Sequence, residues 1–94
     1  MRKKLGDLEI TREMAKLTGW SRDGESLRKT YVLPTFADAI VFVNRVAGVA
    51  DGMDHHPDID IRYNRVSFTL STHSAGGLTA LDFDLANRIE GIPR

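Results

Sequence analysis

The feature that most restricts the fold is a period-two alternation of apolar and polar residues over 59–64 and again over 66–72. Such alternation is typical of strands that bury one face and expose the other. The alternation is interrupted once, at Asn64-Arg65, which is a candidate tight turn. The stretch therefore predicts an antiparallel hairpin packed on a core through one face.

A second hairpin is expected earlier in the chain. Asp23-Gly24 suits a two-residue turn because both residue types tolerate positive φ. A short strand over 20–22 precedes this turn, and a longer one over 26–33 follows it. Pro34 ends the second strand because proline lacks the N–H that a strand ladder needs.

Three segments repeat their apolar residues every three or four positions, as amphipathic helices do. The pattern predicts helices over 11–17, over 35–51, and from Thr79 to about Gly91. The first has Thr11 as its expected N-cap. In the other two, a threonine cap is followed three residues later by an aspartate, which predicts a capping box. Two hairpins with helices on one face imply an α+β fold.

Composition narrows the class of protein. A chain of 94 residues is expected to form a single domain over 1–94. Thirteen basic and thirteen acidic residues cancel, so we expect no nucleic-acid partner. The absence of cysteine excludes disulfides and thiolate chemistry. No apolar run approaches the ~20 residues that span a bilayer, and no signal peptide is recognisable, so a cytoplasmic location without membrane attachment is expected.

The three histidines are expected to lie together. His55 and His56 fall in the polar segment 51–57, between the long helix and the second hairpin, and His73 follows that hairpin. Because a hairpin reverses the chain, its end returns close to its beginning. Adjacent strand residues point to opposite faces, but Pro57 restricts the backbone of His56, and a turn there allows both rings to face one cavity.

Imidazoles beside carboxylates suit proton transfer. Histidine has an unperturbed pKa of ~6.5 and exchanges protons near neutral pH, and a positioned acid or base contributes roughly 10²–10⁴-fold to a rate. Asp51, Asp54 and Asp82 are the candidate carboxylates that set ring orientation. Two alternatives remain open: a polar loop that caps the long helix, and a three-histidine zinc site. Adjacent histidines suit a single metal ion poorly, so no metal ligand is expected.

The spacing of these residues resembles a known family, the pterin-4a-carbinolamine dehydratases, over nearly the whole chain. The matching positions are Asp51, His55-His56-Pro57, Tyr63, His73, Asp82, Gly19-Trp20 and Leu70-Ser-Thr-His-Ser74. The resemblance implies a four-stranded antiparallel sheet with three helices packed on one face. It also implies a homo-oligomer, either a dimer or a tetramer.

The resemblance further implies an activity. Members of the family remove water from 4a-hydroxytetrahydrobiopterin to give the quinonoid dihydropterin, in the recycling of tetrahydrobiopterin for aromatic amino-acid hydroxylases. The implied enzyme is a hydro-lyase that uses no metal or organic cofactor, with a pterin substrate and a hydroxylase as its companion. The alternative is a non-catalytic dimerisation cofactor or companion protein on the same scaffold.

The resemblance assigns roles to individual residues. The implied catalytic set is His55, His56 and His73, with His55 and His73 as the acid/base pair in either order and His56 holding the pterin. Substrate contacts are implied for these three histidines and for Asp54, Ser71, Thr72 and Ser74. Supporting roles are implied for Asp51, Trp20, Pro57 and Asp82, the last of which would orient His73. Core packing for Trp20, helix capping for Asp82 and a helix-end position for Asp51 remain open as alternatives.

Overall fold

The structure is a computed structural model that describes residues 3–94. Its elements are α1 (Asp7–Met14), β1 (Ser21–Asp23), β2 (Ser26–Val32), α2 (Phe36–Met53), β3 (Asp58–Arg62), β4 (Arg65–Leu70), a short 3₁₀ turn (His73–Ala75) and α3 (Ala80–Glu90). The expected α+β class, with three helices and a four-stranded antiparallel sheet, is confirmed. None of the helices in 3–94 combines the length and apolar character needed to cross a bilayer.

The sheet is built from the two expected hairpins, in the order β1-β2-β4-β3. All three strand pairs are antiparallel, and β4 lies in the interior of the sheet between β2 and β3. Asp58 at the start of β3 is paired with Thr69 near the end of β4. The chain reversal therefore returns the end of β4 to the segment that precedes β3, as the alternation predicted.

One apolar core joins the sheet to all three helices. Its aromatic centre is Phe42 of α2, whose ring lies 5.0 Å from that of Tyr31 and 5.8 Å from that of Phe68, both edge-on. Edge-on aromatic pairs add to the stabilisation that burial alone provides. The buried residues contributed by the helices and the sheet include Ile10, Val46, Phe83, Leu85, Ile89, Leu27, Val66 and Leu70.

Several element boundaries differ from the sequence prediction. The turn between β1 and β2 is Gly24-Glu25 and not Asp23-Gly24, because Asp23 still pairs with Ser26 in the sheet. The first helix begins at Asp7 and not at Thr11, whose hydroxyl donates to the carbonyl of Asp7 at 2.9 Å from inside the helix. A threonine can satisfy its hydroxyl in this way as well as by capping, so its presence did not fix the helix start. The second hairpin turns one residue earlier than expected, with Tyr63 at φ 54°.

A polar cluster ties the C-terminal end of α3 to the sheet. The Glu90 carboxylate accepts hydrogen bonds from Trp20 Nε1 at 3.2 Å, from Lys29 Nζ and from the Tyr31 hydroxyl. Burial raises the pKa of Tyr31, and the adjacent Glu90 carboxylate raises it further. Trp20 is buried and takes part in the apolar core. These contacts fit the core-packing alternative for Trp20.

Candidate active site

The segment that carries the first two histidines leaves α2 through a left-handed turn. Asp54 has φ 50° and ψ 42°, a conformation usually occupied by glycine at this position. The amide of His55 donates to the carbonyl of Ala50 at 3.1 Å, and that of Asp54 donates to the carbonyl of Asp51 at 3.1 Å. These two bonds form a Schellman motif, which reverses the chain at the end of α2.

This reversal buries His55 against the first turn of α3. The Nε2 atom of His55 lies 2.6 Å from Oδ1 of Asp82, and the Asp82 side chain is fully buried. The other carboxylate oxygen, Oδ2, accepts the Thr72 hydroxyl at 2.8 Å and the amide of Thr79 at 2.9 Å. Asp82 therefore links the histidine segment, the end of the β4 segment and the start of α3.

The hydrogen-bond pattern around Asp82 fixes the tautomer of His55. A carboxylate can only accept hydrogen bonds, so Nε2 of His55 must carry the proton shared with Oδ1. In the neutral ring the second nitrogen, Nδ1, is then unprotonated and has a lone pair. Neutral His55 is thus a base through Nδ1, and Asp82 is placed to stabilise the imidazolium that forms when Nδ1 takes a proton.

The Nδ1 edge of His55 faces the surface. No side-chain hydrogen bond within residues 3–94 involves this atom, and no buried side-chain nitrogen or oxygen in that part of the chain lacks a partner. Only 8% of the His55 side chain is exposed, so the accessible area is small. The ring therefore presents one reactive edge while the remainder is held by the fold.

His56 is directed to a different carboxylate. Its Nε2 atom lies 2.9 Å from Oδ1 of Asp51, and both side chains are largely exposed. The adjacent rings therefore contact different helices, with His55 buried against α3 and His56 exposed beside α2.

His73 opens the 3₁₀ turn that follows β4, and its side chain is exposed. It is covalently adjacent to Thr72, whose hydroxyl reaches Asp82. Within residues 3–94 no hydrogen bond joins Asp82 to His73, the ring that it was expected to orient, and the carboxylate instead contacts His55, Thr72 and Thr79. His55 is the ring that this carboxylate holds.

The remaining residues implied by the resemblance do not all lie beside the histidines. The Ser71 hydroxyl donates to the carbonyl of Glu25 at 2.8 Å, on the side of the β1–β2 turn. Asp54 and Ser74 are exposed, and Pro57 is half-buried. Trp20 contacts Glu90, eight residues along α3 from Asp82, or about 12 Å along the helix axis. Trp20 is not brought to the histidines.

Thr79 belongs to the site although the resemblance gave it no role. Its amide donates to Asp82, and its hydroxyl lies 2.8 Å from that of Thr72. The sequence signal was the capping box of Thr79 and Asp82, which predicted the start of α3 correctly. A capping box shows that the aspartate accepts the cap amide, but it does not show that the same carboxylate also holds a histidine.

The grouping of possible metal ligands bears on the zinc alternative. Within residues 3–94, no three histidine, cysteine, aspartate or glutamate side chains are grouped so that they could hold a metal ion. Instead His55 and His56 are each paired with a carboxylate through Nε2.

Comparison with known sequences gives one family. A family model described as pterin 4 alpha carbinolamine dehydratase matches residues 3–92. A provisionally named pterin-4-alpha-carbinolamine dehydratase of Roseiflexus sp. (strain RS-1) is 52% identical over 98% of this chain and 99% of its own length. A protein of the same provisional name from Sulfurisphaera tokodaii is 47% identical over 94% of this chain and 95% of its own.

Comparison with solved structures gives the same fold. A transcriptional coactivator/pterin dehydratase from Brucella melitensis superposes with a TM-score of 0.91, at 32% identity, over 95% of this chain and 97% of its own. A pterin dehydratase-like protein identified as a RuBisCO assembly factor in the alpha-carboxysome gives a TM-score of 0.67 at 21% identity, over 79% of this chain and 88% of its own. The second likeness concerns the fold alone.

Proposed function

The chain belongs to the pterin-4-alpha-carbinolamine dehydratase family, and on this basis we propose that it removes water from a 4a-hydroxytetrahydropterin. The observation that supports this most directly is the buried His55–Asp82 pair, which leaves one unprotonated imidazole nitrogen at the surface. A base of this kind suits the removal of the N5 proton from the substrate. We place this substrate against His55, His56 and His73.

His55 acts as the base. Its Nδ1 lone pair accepts the proton from N5 of the pterin, and the electron pair of the N5–H bond forms the C4a=N5 double bond. The positive charge that develops on the ring lies 2.6 Å from the Asp82 carboxylate, through Nε2. Because Asp82 is fully buried and only 8% of the His55 side chain is exposed, this attraction is stronger than it would be at the surface.

His73 acts as the acid. Its exposed ring, in the protonated form, gives a proton to the departing 4a-hydroxyl, which leaves as water when the C4a–O bond breaks. One proton enters the substrate and one leaves it, so the reaction needs no oxidant, reductant or cofactor. His73 and His55 are then reset by proton exchange with solvent, to which exposed histidines have ready access.

His56 binds the pterin. It is exposed, and its partner Asp51 lies on the last part of α2. We assign Asp54 and Ser74, which are also exposed, to the rim of the same substrate site. These residues add binding energy and orientation, and they do not take part in the transfer of protons.

The test is to supply a 4a-hydroxytetrahydropterin and follow the absorbance of the quinonoid dihydropterin above the spontaneous rate. His55→Ala and His73→Ala are each expected to lower kcat by roughly 10²–10⁴-fold, whereas His56→Ala mainly raises KM. Circular dichroism checks that each variant is folded. A chelator is expected to leave the rate unchanged. Full activity in both the His55 and the His73 variants would refute the acid/base assignment.

The same assay separates the enzyme from the alternative of a non-catalytic companion protein. That alternative is suggested by the solved relative from Brucella melitensis, which is described as a transcriptional coactivator/pterin dehydratase. If the wild-type protein gives no more than the spontaneous rate in buffer, the companion-protein function is favoured and the dehydratase function is refuted. The base-forming His55–Asp82 pair favours the enzyme, since a docking surface has no need of a buried histidine with one accessible nitrogen.

A further inference from the structure

We propose that the hydroxyl of Thr72 is a positioning group that acts on His55 through Asp82, and that it is not a substrate contact. This inference rests on the proposed function, in which His55 is the base. Thr72 was expected among the substrate contacts, but its side chain points away from solvent, and the residue is 3% exposed. Its hydroxyl is instead committed to the buried carboxylate.

The Thr72 hydroxyl has two partners and one proton. It lies 2.8 Å from Oδ2 of Asp82 and 2.8 Å from the hydroxyl of Thr79. Because the carboxylate can only accept, the Thr72 proton goes to Asp82 and the Thr79 hydroxyl donates to Thr72. The chain of donors therefore runs from Thr79 through Thr72 to Asp82, and no hydroxyl proton remains for a ligand.

The position of this hydroxyl is set by the backbone on both sides. The amide of Thr72 donates to the carbonyl of Gly77 at 3.0 Å, and the amide of Gly77 donates back to Thr72 at 3.3 Å. These two bonds hold the main chain of Thr72, and the contacts of its hydroxyl with Asp82 and Thr79 hold the side-chain rotamer. The hydroxyl thus fixes Oδ2, which in turn fixes the direction in which Oδ1 faces His55.

Thr72 also precedes His73 in the chain. One residue therefore positions both proton-transfer groups: its backbone carries the exposed acid, and its side chain holds the carboxylate of the base. Loss of the hydroxyl leaves Oδ2 with the Thr79 amide alone and lets the carboxylate rotate. The expected effect is on the alignment and tautomer of His55, with little effect on pterin binding.

The experiment compares Thr72→Val, which removes only the hydroxyl, with Thr72→Ser, which keeps it. Thr69→Val is the matched control, because Thr69 lies in β4 outside the Asp82 cluster. The first readout is the ¹⁵N spectrum of the His55 ring in the free protein, which reports which nitrogen carries the proton. The second is the pair of constants kcat and KM for the 4a-hydroxytetrahydropterin.

For Thr72→Val we expect a mixed His55 tautomer and a loss of about tenfold in kcat, with KM within about twofold, since a hydrogen bond to a charged group is lost. Thr72→Ser and Thr69→Val should match the wild type in both readouts. A rise in KM with unchanged kcat would overturn the proposal in favour of substrate contact. A serine variant as impaired as valine, or an unchanged His55 spectrum in the valine variant, would also overturn it.

The two readouts keep this inference separate from the proposed function. If the wild type fails to turn over the pterin, the proposed function is refuted. The ¹⁵N spectrum would still show whether Thr72 holds the Asp82–His55 pair, because it is recorded without substrate. If the wild type is active and the spectrum of Thr72→Val is unchanged, the enzyme stands and the positioning role does not.

Discussion

Replacing Asp82 by asparagine would change the charge of the buried carboxylate while keeping its shape. The amide of Thr79 is a fixed donor at 2.9 Å from Oδ2, so the asparagine oxygen must occupy that side. The asparagine NH₂ group then faces Nε2 of His55, which lies 2.6 Å from the other oxygen in the wild type. Two donors cannot share a hydrogen bond, so His55 is forced to carry its proton on Nδ1.

The size of the effect follows from these contacts. The hydrogen bond between His55 and a charged carboxylate, worth about 1.5–3 kcal/mol, becomes a neutral one worth about 1 kcal/mol. We expect a net loss of roughly 1–2 kcal/mol in the free energy of unfolding, or about 5–15 °C in Tm for a domain of this size. Because the base would be protonated at its reactive nitrogen, kcat should fall by roughly 10²–10⁴-fold.

The assay combines quinonoid dihydropterin formation, thermal unfolding and the ¹⁵N spectrum of the His55 ring. Asp84→Asn is the matched control, because Asp84 lies on the exposed side of the same helix, where it pairs with Arg88 at 3.1 Å. Its substitution should change the free energy of unfolding by less than about 0.5 kcal/mol and leave the rate unaltered. If Asp82→Asn keeps more than half of the wild-type kcat, or its His55 stays protonated on Nε2, the tautomer reasoning is refuted.

Three further predictions concern stability. Asp54 has a positive φ of 50°, which glycine adopts without steric cost, so Asp54→Gly should stabilise the fold by about 0.5–1 kcal/mol. The same substitution should raise KM. A lower Tm would contradict the prediction. Burial by itself raises the pKa of Glu90, but hydrogen bonds from Lys29, Tyr31 and Trp20 outweigh it and hold the pKa below its usual value of 4.5. The stability that these bonds give is therefore present above pH 4.5 and is lost as the pH falls below it. The free energy of unfolding should therefore fall more steeply with decreasing pH in the wild type than in Glu90→Gln. Parallel plots of this free energy against pH would contradict the prediction. Phe42→Ala should cost about 3–5 kcal/mol in urea unfolding, and a loss below 1 kcal/mol would show that the core is not centred there.

Much of the fold was predictable because its signals are local. The alternation over 59–72 gave the β3–β4 hairpin, and Asp23-Gly24 indicated the β1–β2 hairpin, whose turn lies one residue later, at Gly24-Glu25. Thr35 and Thr79 gave the starts of α2 and α3, since a cap and its partner lie within four residues. The start of α1 was missed because a single threonine is compatible with two hydrogen-bonding patterns, and only the packing of Ile10 into the core selects between them.

The residues of the candidate site were predictable from the sequence, but the hydrogen bonds between them were not. The sequence determined by itself that three histidines and several aspartates occur at the two ends of one hairpin, since strand pairing brings those ends together. The sequence could not determine that Asp82 contacts His55 and not His73, because Asp82 and His55 are 27 positions apart in the chain. A hydrogen bond depends on distances of a few tenths of an ångström. Only the packing of α3 beside the end of β4 sets such distances, and it decided which nitrogen of His55 faces the surface.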